Sequence, residues 1–156
     1  MVREIKPLKK YDLESLFSQF LEEKYGFSSA VLEEPHIPSC IFSAQNGTLE
    51  SVVKYLRENL SLTPQEIGQR LKRTASTITV TYHKVKKKNS TPFKITRCQF
   101  IPLSAFCIKD FSILESVVFY LKEKKQMSFH AIAELLKRDD RTIWTIYQRV
   151  TKKNDQ

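Results

Sequence analysis

Residues 49–88 read LESVVKYLRENLSLTPQEIGQRLKRTASTITVTYHKVKKK, and residues 114–153 read LESVVFYLKEKKQMSFHAIAELLKRDDRTIWTIYQRVTKK. The two stretches align without a gap at an offset of 65 residues, and 18 of their 40 positions are identical. Just upstream, Ile37-Pro38 and Ile101-Pro102 also match, at an offset of 64. Similarity at a fixed spacing indicates duplication of one structural unit of about 50 residues.

Hydrophobic spacing predicts the first and third helices of each copy. The first helix has apolar residues at i, i+3, i+4 and i+7, which place four side chains on one face. These are Leu49, Val52, Val53 and Leu56, and in the second copy Leu114, Val117, Val118 and Leu121. The inward stripe of the third helix is Ile78, Thr81, Tyr82 and Val85, and then Ile143, Ile146, Tyr147 and Val150.

A short second helix is predicted between them from its capping residues. Thr63-Pro64-Gln65-Glu66 combines a capping threonine, a first-turn proline and a glutamate three residues after the cap. Ser128 takes the capping position in the second copy, where Ala131 replaces the glutamate. We expect this helix to end near Leu71 or Leu136.

The turn that follows has no glycine. Lys72 and Lys137 occupy it, so a non-glycine residue must adopt a left-handed conformation or the turn must differ. The third helix is expected to begin near Thr74 or Asp139, and Asp139 is a favourable N-cap.

A short helix, a tight turn and a longer helix have the spacing of a helix-turn-helix. Residues 66–85 and 131–150 have it, and small residues, Gly68 and Ala133, stand where the third helix must cross the second closely. These segments resemble the homeodomain-like helix-turn-helix class, above all the promoter-reading C-terminal domain of bacterial sigma factors. The resemblance covers both halves of the chain past residue 48.

The resemblance implies that the third helix enters the major groove of double-stranded DNA. Five positions in each copy are expected to face outward, and their hydroxyl, imidazole, amide and cationic groups suit contacts with base edges. They are Ser76, Thr79, Val80, His83 and Lys84, and Arg141, Trp144, Thr145, Gln148 and Arg149. All five differ between the copies, which fits two modules that read different sequences. Relaxed constraint on a solvated face would give the same pattern.

Positive charge is concentrated in the two copies. The chain has a net charge of +9, with +6 in residues 49–88 and +4 in residues 114–153. The cations cluster at the ends of the third helices, in Lys84, Lys86, Lys87 and Lys88 and in Arg149, Lys152 and Lys153. Such clusters neutralise DNA phosphates, although cations also stabilise a helix C-terminus in any protein. We expect Lys86, Lys87 and Lys152 to bind phosphates.

An alternative function is an adaptor that docks on a transcription or recombination complex, with RNA polymerase or another regulatory protein as its partner. Trp144 on the outward face and the acidic pair Asp139-Asp140 favour this interpretation. Trp144 would then pack against the other module or a partner protein, rather than stack on a sugar or a thymine methyl.

Several classes of protein are disfavoured. Only three glycines occur, and the three histidines lack partners at catalytic or metal-ligand spacing, so we expect no enzyme, metal or cofactor. Three cysteines without a CxxC pair predict buried reduced thiols. No signal peptide or membrane span is visible, which predicts a cytoplasmic protein, associated with the nucleoid in a prokaryote, and no membrane partner.

The expected fold class is all-α, with two tandem three-helix helix-turn-helix units after an N-terminal helical segment. The predicted divisions are an N-terminal segment at 1–36, a first unit at 37–88, a linker at 89–100 and a second unit at 101–156. Residues 12–25 are predicted to form an amphipathic helix, and the linker is predicted to pack on the helices rather than form a free tether.

Overall fold

The computed structural model describes Leu16, Gln19, Phe20, Glu23, Lys24 and residues 34–155. The chain divides into two compact units, Met1–Pro35 and His36–Gln156. In the first unit the five described residues before Glu34 are helical and exposed, and Lys24 Nζ lies 5.3 Å from the centre of the Phe20 ring. The rest of the helix predicted for residues 12–25 lies outside the described residues.

The second unit contains the two copies of the repeat. The first copy comprises strand β1 (His36–Pro38), a 3-10 turn (Ser39–Ile41) and helices α1 (Thr48–Glu58), α2 (Pro64–Leu71) and α3 (Ala75–Lys88). The second comprises β2 (Phe100–Pro102), a 3-10 turn (Leu103–Phe106), α4 (Ile113–Glu123), α5 (Phe129–Leu136) and α6 (Asp140–Asn154). The described fold is therefore mostly helical, as predicted, and it also contains one small two-stranded sheet, which was not predicted.

The helix boundaries follow the predicted caps. Thr63 Oγ1 accepts a hydrogen bond from the Glu66 amide at 3.3 Å, and Glu66 accepts one from the Thr63 amide at 2.7 Å. In the second copy Ser128 Oγ accepts from the Ala131 amide, and Asp139 accepts from the Arg141 amide at 2.9 Å. These bonds satisfy amides that have no partner within the helix.

The turn between the second and third helices has the same conformation in both copies. Lys72 has φ 54° and ψ 46°, and Lys137 has φ 54° and ψ 49°. Both lysines therefore adopt the left-handed conformation, which confirms the first of the two alternatives. At Gly68 an added Cβ would lie 2.7 Å from the Arg73 carbonyl oxygen, so the predicted close crossing is also present.

The two copies share one hydrophobic core. Buried side chains of both, among them Leu56, Ile78, Leu121 and Ile143, belong to a single packed cluster. The sheet adds to this core, because β1 pairs antiparallel with β2 and the opposed Ile37 and Ile101 are both buried. His36 lies in the first of these strands.

The linker packs on the first copy, as predicted. Asn59 Nδ2 donates a 3.1 Å hydrogen bond to the Phe93 carbonyl, and the partly buried Phe93 ring lies 5.5 Å from Lys54 Nζ. The prediction of buried thiols was wrong. Cys40 is exposed, and Cys98 and Cys107 are partly exposed, because all three lie in or beside the short segments that precede α1 and α4 rather than on a core-facing helix.

Candidate nucleic-acid interface

The outward face of α3 is largely open to solvent. Ser76, His83 and Lys84 are exposed, and the Val80 side chain is exposed although it is apolar. Thr79 departs from the expectation, because it is half-buried and its hydroxyl donates a 2.9 Å hydrogen bond to the Ala75 carbonyl. Thr79 is therefore the least accessible of the five predicted contacts in this copy.

The outward face of α6 follows the same pattern. Arg141, Trp144, Thr145 and Arg149 are exposed, whereas Gln148 is half-buried. The Thr145 hydroxyl donates to the Arg141 carbonyl at 2.8 Å, so its hydrogen is already engaged. The two faces thus present different chemistry at equivalent places, with a serine, a valine, a histidine and a lysine exposed on α3 and a tryptophan between two arginines on α6.

The last lysine of each third helix is attached to the first helix of its own copy. Lys88 Nζ donates to both carboxylate oxygens of Glu50, at 3.1 and 2.9 Å, and Lys153 Nζ does the same to Glu115, at 3.1 and 3.0 Å. Both carboxylates also cap their helices by accepting from a backbone amide, that of Gly47 or Ser112. Lys88 and Lys153 therefore join the third helix to the first helix of their own copy, and buried carboxylates offset their charges.

Burial and ion pairing have opposite effects on the pKa values of these two carboxylates. Burial raises the pKa of Glu50, but hydrogen bonds from Lys88 and the Gly47 amide, with the charges of Lys88 and Lys84, bring it below its usual value. Burial also raises the pKa of Glu115, and hydrogen bonds from the Ser112 amide and Lys153 outweigh that effect. Both groups are thus held as carboxylates at neutral pH.

The other cations of the cluster differ in how far they are neutralised. Lys84 Nζ lies 3.5 Å from Glu50, yet its side chain is 66% exposed, so it can turn toward an external phosphate. Lys86 Nζ lies 3.0 Å from the Tyr82 hydroxyl and 3.8 Å from Glu58. Lys87, Arg149 and Lys152 are exposed and make no ion pair within residues 34–155.

A tyrosine in each third helix fixes its orientation. The Tyr82 hydroxyl donates to Glu58 at 3.0 Å, and the Tyr147 hydroxyl donates to Glu123 at 2.5 Å. These bonds join the middle of the third helix to the end of the first, while the lysine–glutamate pairs join the opposite ends. Two fixed points per helix hold the outward side chains on a rigid support.

The start of α6 carries an exposed polar cluster that α3 lacks. His130 Nδ1 lies 2.9 Å from Asp140, and His130 Nε2 lies 3.6 Å from Glu134. The hydrogen bond to Asp140 raises the pKa of His130, and the charges of Asp140 and Glu134 add to the effect. Protonated His130 offsets the negative charge that Asp140 places at the start of this helix.

Trp144 does not pack into the core of the chain. It remains 52% exposed, which rules against the interpretation that it packs on the other module. A contact with DNA or with a partner protein is compatible with this position.

Two arginines in the turns were not singled out from the sequence. Arg73 and Arg138, with the equivalent residue pairs Gly47 and Ser112 and Leu49 and Leu114, line a groove of about 450 Å³ between the copies. Arg138 Nη2 donates a 2.9 Å hydrogen bond to the Asn46 carbonyl of the other copy. The signal was present, since Leu-Lys-Arg occurs at the same place in both copies.

Within the part of the chain that is described, no group of histidine, cysteine, aspartate and glutamate side chains is arranged to hold a metal ion. None of the helices there combines the length and the apolar character needed to cross a membrane. Comparison of the chain with protein-family models, curated proteins and solved structures gives no match.

Proposed function

We propose that this protein binds double-stranded DNA through two tandem helix-turn-helix units, formed by α2 with α3 and by α5 with α6. The third helix of each unit enters a major groove with its outward face. In this proposal the protein is a sequence-specific transcriptional regulator and not an enzyme. A location in the cytoplasm, or on the nucleoid of a prokaryote, stays a prediction.

One observation carries the proposal: both third helices present an exposed outward face that ends in exposed cations. Lys87 and Lys152, at equivalent positions, and Arg149 are exposed without an ion-pair partner among residues 34–155. Cations in this state gain most from a phosphate, because no internal pair has to be broken. Glu50 and Glu115 lie at the inner side of the same helix ends but are occupied by Lys88 and Lys153.

The test is a salt titration with random-sequence duplex DNA, followed by fluorescence anisotropy. Affinity should fall steeply with salt, since each neutralised phosphate adds about 0.9 to the slope of log K against log salt. The double variant Lys87→Ala/Lys152→Ala should lower that slope by about 2 and weaken binding to every sequence.

The matched control is Lys124→Ala/Lys125→Ala, which removes the same charge at the other end of α4 from the Glu115–Lys153 pair. Its slope should equal that of the unaltered protein. If both double variants lower the slope equally, only the net charge of the protein matters for binding. If the unaltered protein shows no salt-sensitive binding to DNA, the proposal is refuted.

The second candidate function is the adaptor that docks on a transcription or recombination complex such as RNA polymerase. The half-exposed Trp144 and the neighbouring acidic Asp139 and Asp140 favour it. An adaptor would bind its protein partner through α6 and show no salt-dependent affinity for duplex DNA.

A further inference from the structure

The two copies face each other with two-fold pseudosymmetry. In the sheet, Ile37 pairs with Ile101, its own equivalent in the repeat. On either side His36 pairs with Pro102, and Pro38 with Phe100, which are reciprocal pairs at the same offset of 64. Reciprocal pairing of equivalent residues is the mark of a two-fold interface, here within one chain.

The contacts beyond the sheet follow the same rule. The Phe42 and Phe106 rings, again equivalents, lie 6.1 Å apart. The 3-10 turn of the first copy lies against α5, the 3-10 turn of the second lies against α2, and α1 contacts α4. The groove lined by Arg73 and Arg138 contains four pairs of equivalent residues and therefore also lies on the pseudo-axis.

This interface is firmly packed, so it fixes the orientation of the two third helices. Ile37 and Phe106 are fully buried and Ile101 is 2% exposed, within the one core that both copies share. Duplex DNA has local two-fold axes perpendicular to its length, and a two-fold protein matches them with half-sites in inverted orientation.

We propose that the DNA target is an inverted repeat with two dissimilar half-sites, an inference that rests on the function proposed above. The inversion follows from the pseudo-two-fold scaffold, and the dissimilarity follows from the outward faces, which differ at all five equivalent positions. A tandem arrangement without this symmetry would instead require half-sites in direct orientation.

The test makes the two outward faces identical. One variant gives α6 the outward residues of α3, by Arg141→Ser, Trp144→Thr, Thr145→Val, Gln148→His and Arg149→Lys. The reverse variant gives α3 those of α6, by Ser76→Arg, Thr79→Trp, Val80→Thr, His83→Gln and Lys84→Arg. Most of these side chains are exposed, so at least one variant should keep the helical content and cooperative unfolding of the unaltered chain.

Selection from a random duplex pool should then give a true palindrome for a symmetrised variant and an imperfect inverted repeat for the unaltered chain. Reversing one half-site should lower affinity by about 10²-fold or more, because the second contact is no longer intramolecular. A direct repeat would overturn the inverted repeat alone. A single half-site would also overturn binding by both units, and salt-sensitive binding without any enriched sequence would also overturn the sequence specificity of the proposed function. Absence of DNA binding in the unaltered chain would overturn the proposed function as well.

A second site stands on a separate observation. Cys98 Sγ lies 3.0 Å from Cys40 Sγ, across the continuation of the β1–β2 register through Ser39 and Gln99. Hydrogen bonds from Ser39 N to the Gln99 carbonyl, at 2.8 Å, and from Gln99 N to Ser39 Oγ, at 3.2 Å, hold the two segments together. Cys40 is exposed, so a small oxidant can reach it.

We propose that a hydroperoxide converts this pair into a disulfide that links the two copies beside the pseudo-axis. The Cys40 sulfur attacks the peroxide and becomes a sulfenic acid, and the Cys98 sulfur then displaces its oxygen. Two thiols and one hydrogen peroxide thus give one disulfide and two waters. Burial raises the pKa of Cys40, but hydrogen bonds from Cys98 and Thr96 outweigh it and bring it below the usual value, which favours Cys40 as the attacking thiolate.

To test this, the full chain is treated with hydrogen peroxide and then with an alkylating reagent. Its mass is measured by mass spectrometry without any reducing agent. The monomer should lose two hydrogens and keep one alkylatable thiol, Cys107, and Cys107→Ser should oxidise in the same way. Cys98→Ser should form no intramolecular disulfide. A disulfide that includes Cys107, a disulfide-linked dimer as the main product, or three alkylatable thiols would overturn the proposal.

Discussion

The ammonium group of Lys54 is fully buried and pairs with the Glu58 carboxylate one turn further along α1. The equivalent of Lys54 in α4 is Phe119, so the same place in the fold takes a cation in one copy and an aromatic ring in the other. Glu58 also accepts from the Tyr82 hydroxyl, and the Phe93 ring lies over Lys54. Lys54 therefore combines a packing role with a charge role.

Substitution of Lys54 separates these roles. Lys54→Ala should lower the free energy of unfolding by about 2–4 kcal/mol, because it opens a cavity and removes a partner of Glu58. Lys54→Met should stay within about 1.5 kcal/mol of the unaltered protein, since it keeps the stem and Glu58 keeps Tyr82. Urea unfolding measures the free energy of unfolding of both variants. Equal losses of that free energy would mean that the charge of Lys54, and not its packing, dominates.

A second comparison concerns neighbouring lysines of α3. Lys88→Ala should cost about 1 kcal/mol of unfolding free energy, because it leaves the buried Glu50 carboxylate with fewer partners. Lys87→Ala should change that free energy by less than about 0.5 kcal/mol. Lys153→Ala and Lys152→Ala should repeat the contrast in the second copy. Losses of equal size within either pair would contradict the structural role given to Lys88 and Lys153.

The same carboxylates predict how stability depends on pH. The pKa values of Glu50 and Glu115 are lowered below 4.5 in the folded state. The stability that these two carboxylates contribute is therefore fully present above about pH 4.5 and is lost as the pH falls through the folded pKa values. The unaltered protein should therefore lose stability faster than Glu50→Gln/Glu115→Gln does as the pH falls below about 4.5. Urea midpoints across this range measure the difference, and exposed Asp155→Asn is the control. Parallel curves for the unaltered and the double-glutamine protein would refute the assignment.

The helices could be predicted from the sequence because their signals are local. The apolar spacing around Val52 and the cap at Thr63 both lie within one or two turns. The sheet could not be predicted, since each strand has three residues and its partner is about 64 residues away. Apolar faces show that a helix is buried but not which copy covers it, so the shared core was missed. The matching hexapeptides IPSCIF and IPLSAF, which end in Phe42 and Phe106, are the part of the sequence that carries a signal for this shared core.

The outward faces were predicted well, and the state of their charges was not. Exposure of Ser76, Val80 and Arg141 follows from helical periodicity alone. Lys88 pairs with Glu50 because of the way in which α3 packs against α1. Helical periodicity does not predict that packing. The sequence repeat shows that Glu50 and Lys88 correspond to Glu115 and Lys153, but it does not show that the two residues of each pair are in contact.

Titration of His130 tests the electrostatics of the second unit. Its pKa is raised by the hydrogen bond to Asp140, so Asp140→Asn should bring it back toward 6.5. Any stabilisation by this pair is present below pH 6.5 and lost as the pH rises through the folded pKa. The imidazole proton signal in an NMR titration measures the pKa directly. If the proposed function holds, DNA affinity should also fall as the pH rises above 6.5 through this raised pKa, because a positive charge is lost, and His130→Gln should flatten that change. An unchanged His130 pKa in Asp140→Asn would show that the contact does not form.

Trp144 allows a direct test of which surface meets the DNA, because it is the only tryptophan in the chain. It is half-exposed on the outward face of α6, so insertion of that face into a groove should quench its emission and shift it to the blue. The change should follow the binding curve and reverse when salt is raised. Trp144→Ala should leave the free energy of unfolding within about 0.5 kcal/mol but weaken binding to the selected site, because its side chain is half-exposed and lies outside the hydrophobic core. Emission that stays constant while anisotropy reports binding would place α6 away from the duplex. If Trp144 instead responds to RNA polymerase and not to DNA, the adaptor is the better description of this unit.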